Sequence, residues 1–503
     1  MIASPRVLLI NPTITAHRHA RFPLAILSLS AALEGKFAPT IIDGNVDRDF
    51  VSTAVRQVGD GSVAAVGVTV MGGPQLLSAI EVSKAIRERL PSVPIVWGGA
   101  FPTVCPEAAL NAPYVDYGVR GQGEDTFLEL LNAFEAGWNG SFDSIPGLSW
   151  RRNGQVVHNK DRKFSTASLA RMLPYDKLEN PRQYLTNTYL GSRTMGYQAA
   201  LGCRFRCTFC GVATMFRGKM ALPTAARLEQ DLRFMKDRFG VNGIQFYDHN
   251  FFDREVDMVP LLEVLAKLQL PWWCFARSDA LVNLSEASWA LVRKSRLRMA
   301  YIGAESPSDW LLHDIRKGTS RDQTLEAVEK CRSHGVIPEL SFMVAPPQDP
   351  EGETEKTFDF IRLIKRMHPA TEVMIYVYTP LPRRGEPNGA SARITNELRD
   401  CADRPVVFPR TADEWAEPQW VDYWCHQDAP WVSARLRRRI VDFTTVLGCR
   451  YPTVMDVRAS AWGKSALRAL ASWRYRFQRY DHPWELRVSR KLIRQWDPRV
   501  MSL

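Results

Sequence analysis

Nowhere in the 503 residues do about 18 apolar residues run together without charge, and Met1 to Phe22 has no apolar stretch behind a basic head. Neither a membrane span nor a secretory leader is expected, so the expected location is cytoplasmic. Repeats and low-complexity tracts are missing, and 31 glycines and 32 prolines are too few for a collagen-like or linker sequence. With 45% apolar and 24% charged residues the chain has the balance of a folded protein, and its length implies about three domains. A net charge of +11 leaves anionic ligands, an anionic membrane surface and nucleic acid all open. Cysteine is sparse. Of nine, Cys105, Cys274, Cys331, Cys401, Cys425 and Cys449 lie far apart, as free buried thiols do in a reducing compartment.

What is present first is alternation. Arg6 to Asn11 is a continuous apolar run that suits a strand covered on both faces, and Thr40 to Asp43, Ala64 to Val70, Ile95 to Trp97 and Val115 to Val119 follow in kind. Amphipathic stretches at Leu24 to Leu33, Leu76 to Leu90 and Asp125 to Phe134 separate them, which predicts a doubly wound α/β sheet with ligands beyond the carboxyl ends of the strands. Glycines gather at those ends: Gly72, Gly73, Gly98, Gly99, Gly121 and Gly123. Glycine there admits close backbone approach to a ligand, or merely makes the turns.

Residues 141–195, with Pro146, Pro174 and Pro181, read as a connector. From Gln198 strand patterns return at Gly243 to Tyr247, Trp272 to Ala276, Met299 to Gly303, Glu339 to Val344 and Glu372 to Tyr378, the mark of a barrel or part of one. After about Asp400 the pattern turns helical, with eight of the 15 tryptophans and 18 Lys+Arg against 11 Asp+Glu in residues 401–503.

Three cysteines remain, in Gly202-Cys203-Arg-Phe-Arg-Cys207-Thr-Phe-Cys210-Gly211. Three thiolates can hold three irons of a [4Fe-4S] cluster and leave the fourth open to a ligand. Zinc would normally want a fourth protein ligand, and no His or Cys follows within the next thirty residues. Cys-x3-Cys-x2-Cys with an aromatic, Phe209, before the last Cys resembles the signature of the radical S-adenosylmethionine (SAM) enzymes. The resemblance implies that Cys203, Cys207 and Cys210 bind the cluster and that its free iron chelates SAM. One electron then cleaves SAM to a 5′-deoxyadenosyl radical, delivered by a donor such as flavodoxin or ferredoxin. The fold implied is a partial (β/α)6 barrel over residues 196–400.

Flanking residues extend the resemblance. Tyr247 and Asp248, in Tyr247-Asp-His-Asn-Phe-Phe252, fall where that family binds the methionine amine. Arg277 and Asp279 match its Arg-x-Asp pair, Gly303-Ala-Glu305-Ser306 its Gly-x-Glu-Ser, with Glu305 and Ser306 at the ribose or amine end of SAM, and Lys317-Gly318 its Lys-Gly. Two stretches depart from the pattern: Val344 to Thr354 carries extra residues, and Leu381 to Pro387 an Arg pair. Both bear on the adenine contacts and the substrate rim.

Residues 1–140 in turn resemble the Rossmann-like cobalamin-binding domain that precedes the barrel in one large class of these enzymes. The match runs through Gly98-Gly99-Ala-Phe-Pro102-Thr103, Pro106-Glu107 and Asp116 to Glu124 with its Gly-Gln-Gly-Glu. Thr69, Met71, Gly72, Gly73, Gly98, Gly99, Pro102, Gly121, Gly123 and Glu124 are the implied cobalamin contacts. The Asp-x-His-x-x-Gly sequence that gives histidine to cobalt elsewhere is absent, and His17 and His19 do not match it. Cobalt is expected to receive no histidine from this chain, its lower face lying on the loop Val70 to Gly73.

The activity implied is methyl transfer to an unactivated carbon: one SAM methylates cobalamin, a second yields the radical, and the substrate radical takes the methyl. An oxidative cyclase resembling the anaerobic magnesium-protoporphyrin enzyme is the alternative. A transfer-RNA methylthiotransferase needs a second cysteine cluster in the N-terminal domain, where only Cys105 occurs, so nucleic acid is not the favoured partner. In residues 401–503, Trp415, Trp420, Trp424, Trp431, Trp462, Trp473 and Trp484 interleave with arginines. That suits a large apolar small-molecule substrate or peripheral attachment to anionic lipid, while helix cores with solvated basic faces give the same pattern. Tyr247, His249 and Tyr378 are candidates for a proton acceptor, and none is assigned.

Overall fold

Strand β1 (Arg6–Asn11) sends Leu8 and Ile10 into one core and Val7 and Leu9 into another, each at most 1% exposed. A strand buried on both faces needs helices on both faces, and that is how the first sheet is built. A computed structural model describes residues 4–59, 61–137, 142–382, 407–457 and 459–493. After β1 come β2 (Ala38–Asp43), β3 (Val63–Thr69), β4 (Ile95–Gly98), β5 (Tyr117–Val119), β6 (Leu148–Arg152) and β7 (Gln155–His158), ordered β2-β1-β3-β4-β5-β6-β7. The first five are parallel; β6 and β7 form an antiparallel hairpin on the β5 edge.

The second sheet has the order β16-β15-β14-β13-β12-β9-β8, from β8 (Thr186–Thr188), β9 (Gly191–Tyr197), β12 (Gly243–Phe246), β13 (Trp272–Ala276), β14 (Leu297–Glu305), β15 (Ile337–Val344) and β16 (Glu372–Val377). Six of these strands are parallel, β8 runs antiparallel at one edge, and β16 and β8 do not meet, so the barrel is open. A two-stranded ribbon, β10 (Leu201–Gly202) with β11 (Met220–Ala221), brackets the cysteine loop.

The expected connector over 141–195 is corrected by these strands. It holds the hairpin that widens the first sheet, and β8 and β9 that open the second. The sequence Gly191-Ser-Arg-Thr-Met-Gly-Tyr197 offers little apolar signal because its role is backbone approach: a side chain at Gly196 would run into the Tyr247 ring.

Residues after 406 form helices at Ala412–Trp415, Pro418–Trp424, Ala434–Arg450, Ala461–Arg476 and Trp484–Ile493, with no strand among the described residues. Ser433 and Ser460 cap two of them, accepting from the backbone N–H of Leu436 and Gly463. The loop after Arg450 closes the floor of the barrel, where Val454 N donates to Glu372 Oε1 at 2.9 Å and Met455 packs among Trp273 and Met299. Cys401, the expected boundary at residue 400 and Arg383 to Pro387 lie outside the described residues.

Candidate functional site

The cysteine loop is shaped by its backbone. Gly202 has φ +76°, and a side chain there would meet the Lys219 carbonyl and Phe216. Cys203, Cys207 and Cys210 follow, Cys207 buried and the others half-buried, and the helix Gly211–Phe216 begins directly after them. Burial pushes the Cys203 and Cys210 thiols up, so thiolates at these positions require a cation beside them. Among the described residues no three His, Cys, Asp or Glu converge on a single metal ion. Three thiolates on three separate irons of a cluster need not converge, so the triad is compatible with a cluster.

Arg277, at the end of β13 and 5% exposed, grips this loop from the barrel side. Its guanidinium carbon sits 3.6 Å from the Phe205 ring centroid, its Nε donates to Asp279 Oδ1 at 3.0 Å, and it donates to the Lys317 carbonyl at 2.6 Å. Lys317 Nζ in turn donates to Glu305 Oε1 at 2.6 Å with both side chains buried. Glu305 is therefore held by Lys317, in a left-handed backbone conformation at φ +61°. Ser306 is buried beside it and accepts from Ser308 N at 3.0 Å. Phe209 packs on Leu311, Met343 and Tyr378 together with Trp431.

The end of β12 adds a polar rim. Tyr247 lies over Gly196, donates to Gln245 Oε1 at 3.0 Å and carries the Arg21 guanidinium 4.9 Å above its ring. Asp248 is fully buried; its Oδ1 accepts from Ala200 N while its Oδ2 has no partner, and burial pushes its carboxyl up to about 7. Both side-chain polar atoms of buried Asn250 and the Ser278 hydroxyl are also without partners. Orphaned buried polar atoms at neighbouring strand ends suit a polar cofactor that completes them, as SAM would.

Between the two sheets lies a cavity of about 430 Å³. Its first wall is the carboxyl edge of the first sheet: Thr69, Met71, Gly98, Gly99, Gly121, Gly123 and Glu124. Gly99, at φ +96°, lets β4 turn against β3, since a Cβ there would stand 3.0 Å from the Val70 carbonyl. Beside it, a Cβ at Gly98 would have Val119 Cβ at 3.9 Å as its nearest neighbour, leaving its other side open. Gly121 N donates to Thr103 Oγ1, which donates to the Gly99 carbonyl, and Glu124 accepts from Ser28 Oγ at 2.6 Å. A glycine-lined apolar cradle of this shape fits a flat corrin.

The second wall belongs to the barrel: Tyr197, Leu201, Met215, Phe216 and His249. Met215 and Phe216 sit on the helix that starts after Cys210, so one short helix links cysteine loop and cavity. His249 opens onto the cavity, and desolvation by its walls lowers it to about 4, which keeps it neutral. His17 and His19 do not line the cavity. Gly73, Pro102 and Gly72 also fall outside the lining: Gly73 starts the helix Pro74–Arg89, Pro102 is buried in the helix Ala100–Val104, and Gly72 is covered by Trp424.

The tryptophans divide into two groups. Trp415 and Trp424 are buried against Phe101 of the first domain, beside Asp413, which receives Lys84 at 2.6 Å and Tyr114 at 2.8 Å. Trp431 donates to the Ala345 carbonyl at 2.8 Å. Trp462, Trp473 and Trp484 are exposed. Phe205, Met215, Phe216 and His426, whose Nδ1 bonds Thr379 Oγ1 just beyond β16, are residues about the site that the sequence did not mark, and Trp431 was marked only as one of the tryptophans of residues 401–503. Of the unmarked residues only Phe205 carried a signal, lying inside the cysteine spacing.

A B12 binding domain family model matches residues 18–131, and a Radical SAM superfamily model matches residues 197–361. Over 345 residues, 68% of this chain and 73% of the relative, the chain is 26% identical to an uncharacterized methyltransferase of Pyrococcus horikoshii. Over 300 residues, 59% of the chain and 58% of the relative, it is 23% identical to the anaerobic magnesium-protoporphyrin IX monomethyl ester cyclase of Synechocystis sp.. The fold is similar to that of the radical SAM methyltransferase TsrM from Kitasatospora setae with cobalamin and a [4Fe-4S] cluster bound, with a TM-score of 0.66 and 18% identity over 98% of this chain and 100% of that one. By its paired B12-binding and radical SAM domains, the chain belongs to the cobalamin-dependent radical SAM enzymes.

Proposed function

We propose that the chain is a cobalamin-dependent radical SAM methyltransferase acting on a carbon of a largely apolar small molecule. The observation that carries this reading is the single cavity whose walls are the glycine-rich strand ends of the B12-binding domain and the helix following Cys210. Cys203, Cys207 and Cys210 would hold the cluster, the Asp248, Asn250 and Ser278 rim would hold SAM, and the cavity would hold cobalamin. When bound, the cluster supplies the electron that releases a 5′-deoxyadenosyl radical from SAM, and cobalamin carries the methyl group.

The chain's own residues orient and enclose. Arg277 fixes the cysteine loop through Phe205, and Lys317 ties the end of β14 to that grip. Met215, Phe216 and Leu201 give the cavity apolar walls that exclude water from a radical. Half-buried Tyr247, Phe275, Tyr301 and Tyr376 line the inner face of the barrel strands, an aromatic surface that favours an apolar substrate. The electron would come from a donor of the flavodoxin or ferredoxin class.

The test is turnover without oxygen with two equivalents of SAM. Methyl transfer yields S-adenosylhomocysteine, 5′-deoxyadenosine and methionine together. Product formed without S-adenosylhomocysteine would replace this reading with the oxidative cyclase reading, which the likeness to the Synechocystis cyclase favours.

No described helix is long and apolar enough to cross a membrane. Peripheral contact with anionic lipid draws support from Trp462, Leu470, Trp473 and Phe477, which form one exposed stripe along or just past the helix Ala461–Arg476, and from Trp484, Val488 and Leu492 on the next helix. Failure to sediment with phosphatidylserine vesicles at moderate salt would remove it.

A further inference from the structure

We infer that the helix Pro418–Trp424 is a strut that sets the cobalamin domain against the cysteine loop, with Trp424 as a positioning residue for cobalamin. The inference rests on the reading that the cavity holds cobalamin. Two adjacent residues of this helix face different domains. Tyr423, 1% exposed, donates its hydroxyl to the Pro380 carbonyl at 2.6 Å, just beyond β16. The next residue, Leu381, lies where a Cβ on Gly211 would be 3.6 Å from its Cδ1, and Gly211 follows Cys210 directly.

Trp424, 8% exposed, faces the opposite way. Its indole occupies the space a Cβ on Gly72 would need, so the backbone of the loop Val70 to Gly73 lies directly on the ring. Val70 and Met71 of that loop line the cavity from its other side. Phe101, with its ring centroid 5.8 Å from that of Trp424, and Trp415, at 5.7 Å, hold the indole laterally. A chain of contacts therefore runs from the loop beneath the corrin through Gly72, Trp424, Tyr423, Pro380 and Leu381 to the residue after Cys210.

Glycine at position 72 follows from this packing. No other residue lets the loop rest on the indole, and removing the indole removes the support. Because the tryptophan reaches the cofactor only through the loop backbone, its loss should disturb cobalamin and leave the cluster chemistry alone.

The test uses full-length protein reconstituted without oxygen with iron, sulfide and hydroxocobalamin. The readouts are iron content, cobalamin affinity, the electron paramagnetic resonance spectrum of the cob(II)alamin form, and 5′-deoxyadenosine released from SAM under dithionite. Trp424→Ala should keep wild-type iron and SAM cleavage, bind cobalamin at least tenfold more weakly and shift the cob(II)alamin spectrum toward that of the free cofactor. Trp424→Phe should restore most of the affinity. Gly72→Ala should weaken cobalamin binding in the wild-type background and have little effect in the Trp424→Ala background, where its Cβ finds room. That non-additivity marks direct contact rather than general loosening.

Equal effects of Gly72→Ala in both backgrounds would overturn the inference, as would a Trp424→Ala protein with wild-type affinity and spectrum. If Trp424→Ala does not fold, Trp424→Phe and Gly72→Ala decide it: wild-type cobalamin affinity and spectrum in both would sink the strut. Wild-type protein that takes up iron but no cobalamin would overturn the underlying reading itself.

Discussion

Arg277 and Phe205 are stacked, guanidinium carbon to ring centroid at 3.6 Å, and this contact joins the end of β13 to the middle of the cysteine spacing. A desolvated pair of this kind contributes about 2 kcal/mol, and the arginine spends its remaining donors on Asp279 and the Lys317 carbonyl. Lysine cannot stack and fork at once. Arg277→Lys is expected to fold normally and bind a cluster but to release 5′-deoxyadenosine from SAM at least tenfold more slowly. Wild-type release from that variant would make the stack incidental.

The cysteine spacing, the glycine-rich strand ends and most parallel strands were legible in the sequence because each rests on local pattern: thiol spacing, backbone conformation, apolar runs. What escaped is what only tertiary packing creates. β9 was hidden in the supposed connector because Gly191 to Tyr197 is shaped by the Tyr247 ring over Gly196. Trp415 and Trp424 looked like Trp462 and Trp473 in sequence, yet the first two are buried between domains and the last two face solvent. Glu305 was read as a ligand contact; its buried partner Lys317, twelve residues on, was noted only as half of a separate motif.

That Glu305–Lys317 pair makes a stability prediction. Removing one member of a buried ion pair strands the other, at a cost of about 3–5 kcal/mol. Lys317→Met should lower unfolding free energy by that amount in urea, and adding Glu305→Gln should recover a substantial part by removing the stranded charge. A double variant no more stable than Lys317→Met would show that the pair is not coupled.

Gly98 and Gly99 are neighbours with opposite predictions. Gly99→Ala places a Cβ at φ +96° and 3.0 Å from the Val70 carbonyl, a strain of about 1–3 kcal/mol visible as a lower melting temperature. Gly98→Ala meets nothing nearer than 3.9 Å in the protein, so it should melt like wild type and instead weaken cobalamin binding by filling the cradle. Titration of both variants with hydroxocobalamin, alongside melting curves, separates strain from occlusion; two variants with the same profile would contradict the assignment of this cradle.

His426 and His249 give the pH dependence. His426 is half-buried and His249 opens onto the cavity, and desolvation by the surrounding protein lowers each from 6.5 to about 4. The sign follows from proton uptake: between pH 6.5 and 4 the unfolded chain binds a proton at each histidine and the folded chain does not, so stability falls as pH falls through that window. For His426 the loss between pH 7.5 and 5 is about 2 kcal/mol. Asparagine at 426 retains a hydrogen-bonding group for Thr379 Oγ1 but does not titrate. His426→Asn is therefore expected to lose less stability than wild type over that interval, the difference being about 2 kcal/mol in urea unfolding at the two pH values, while His249 still titrates in both proteins. Parallel losses in variant and wild type would mean that His426 titrates alike in the folded and unfolded chain, so that its surroundings do not lower it.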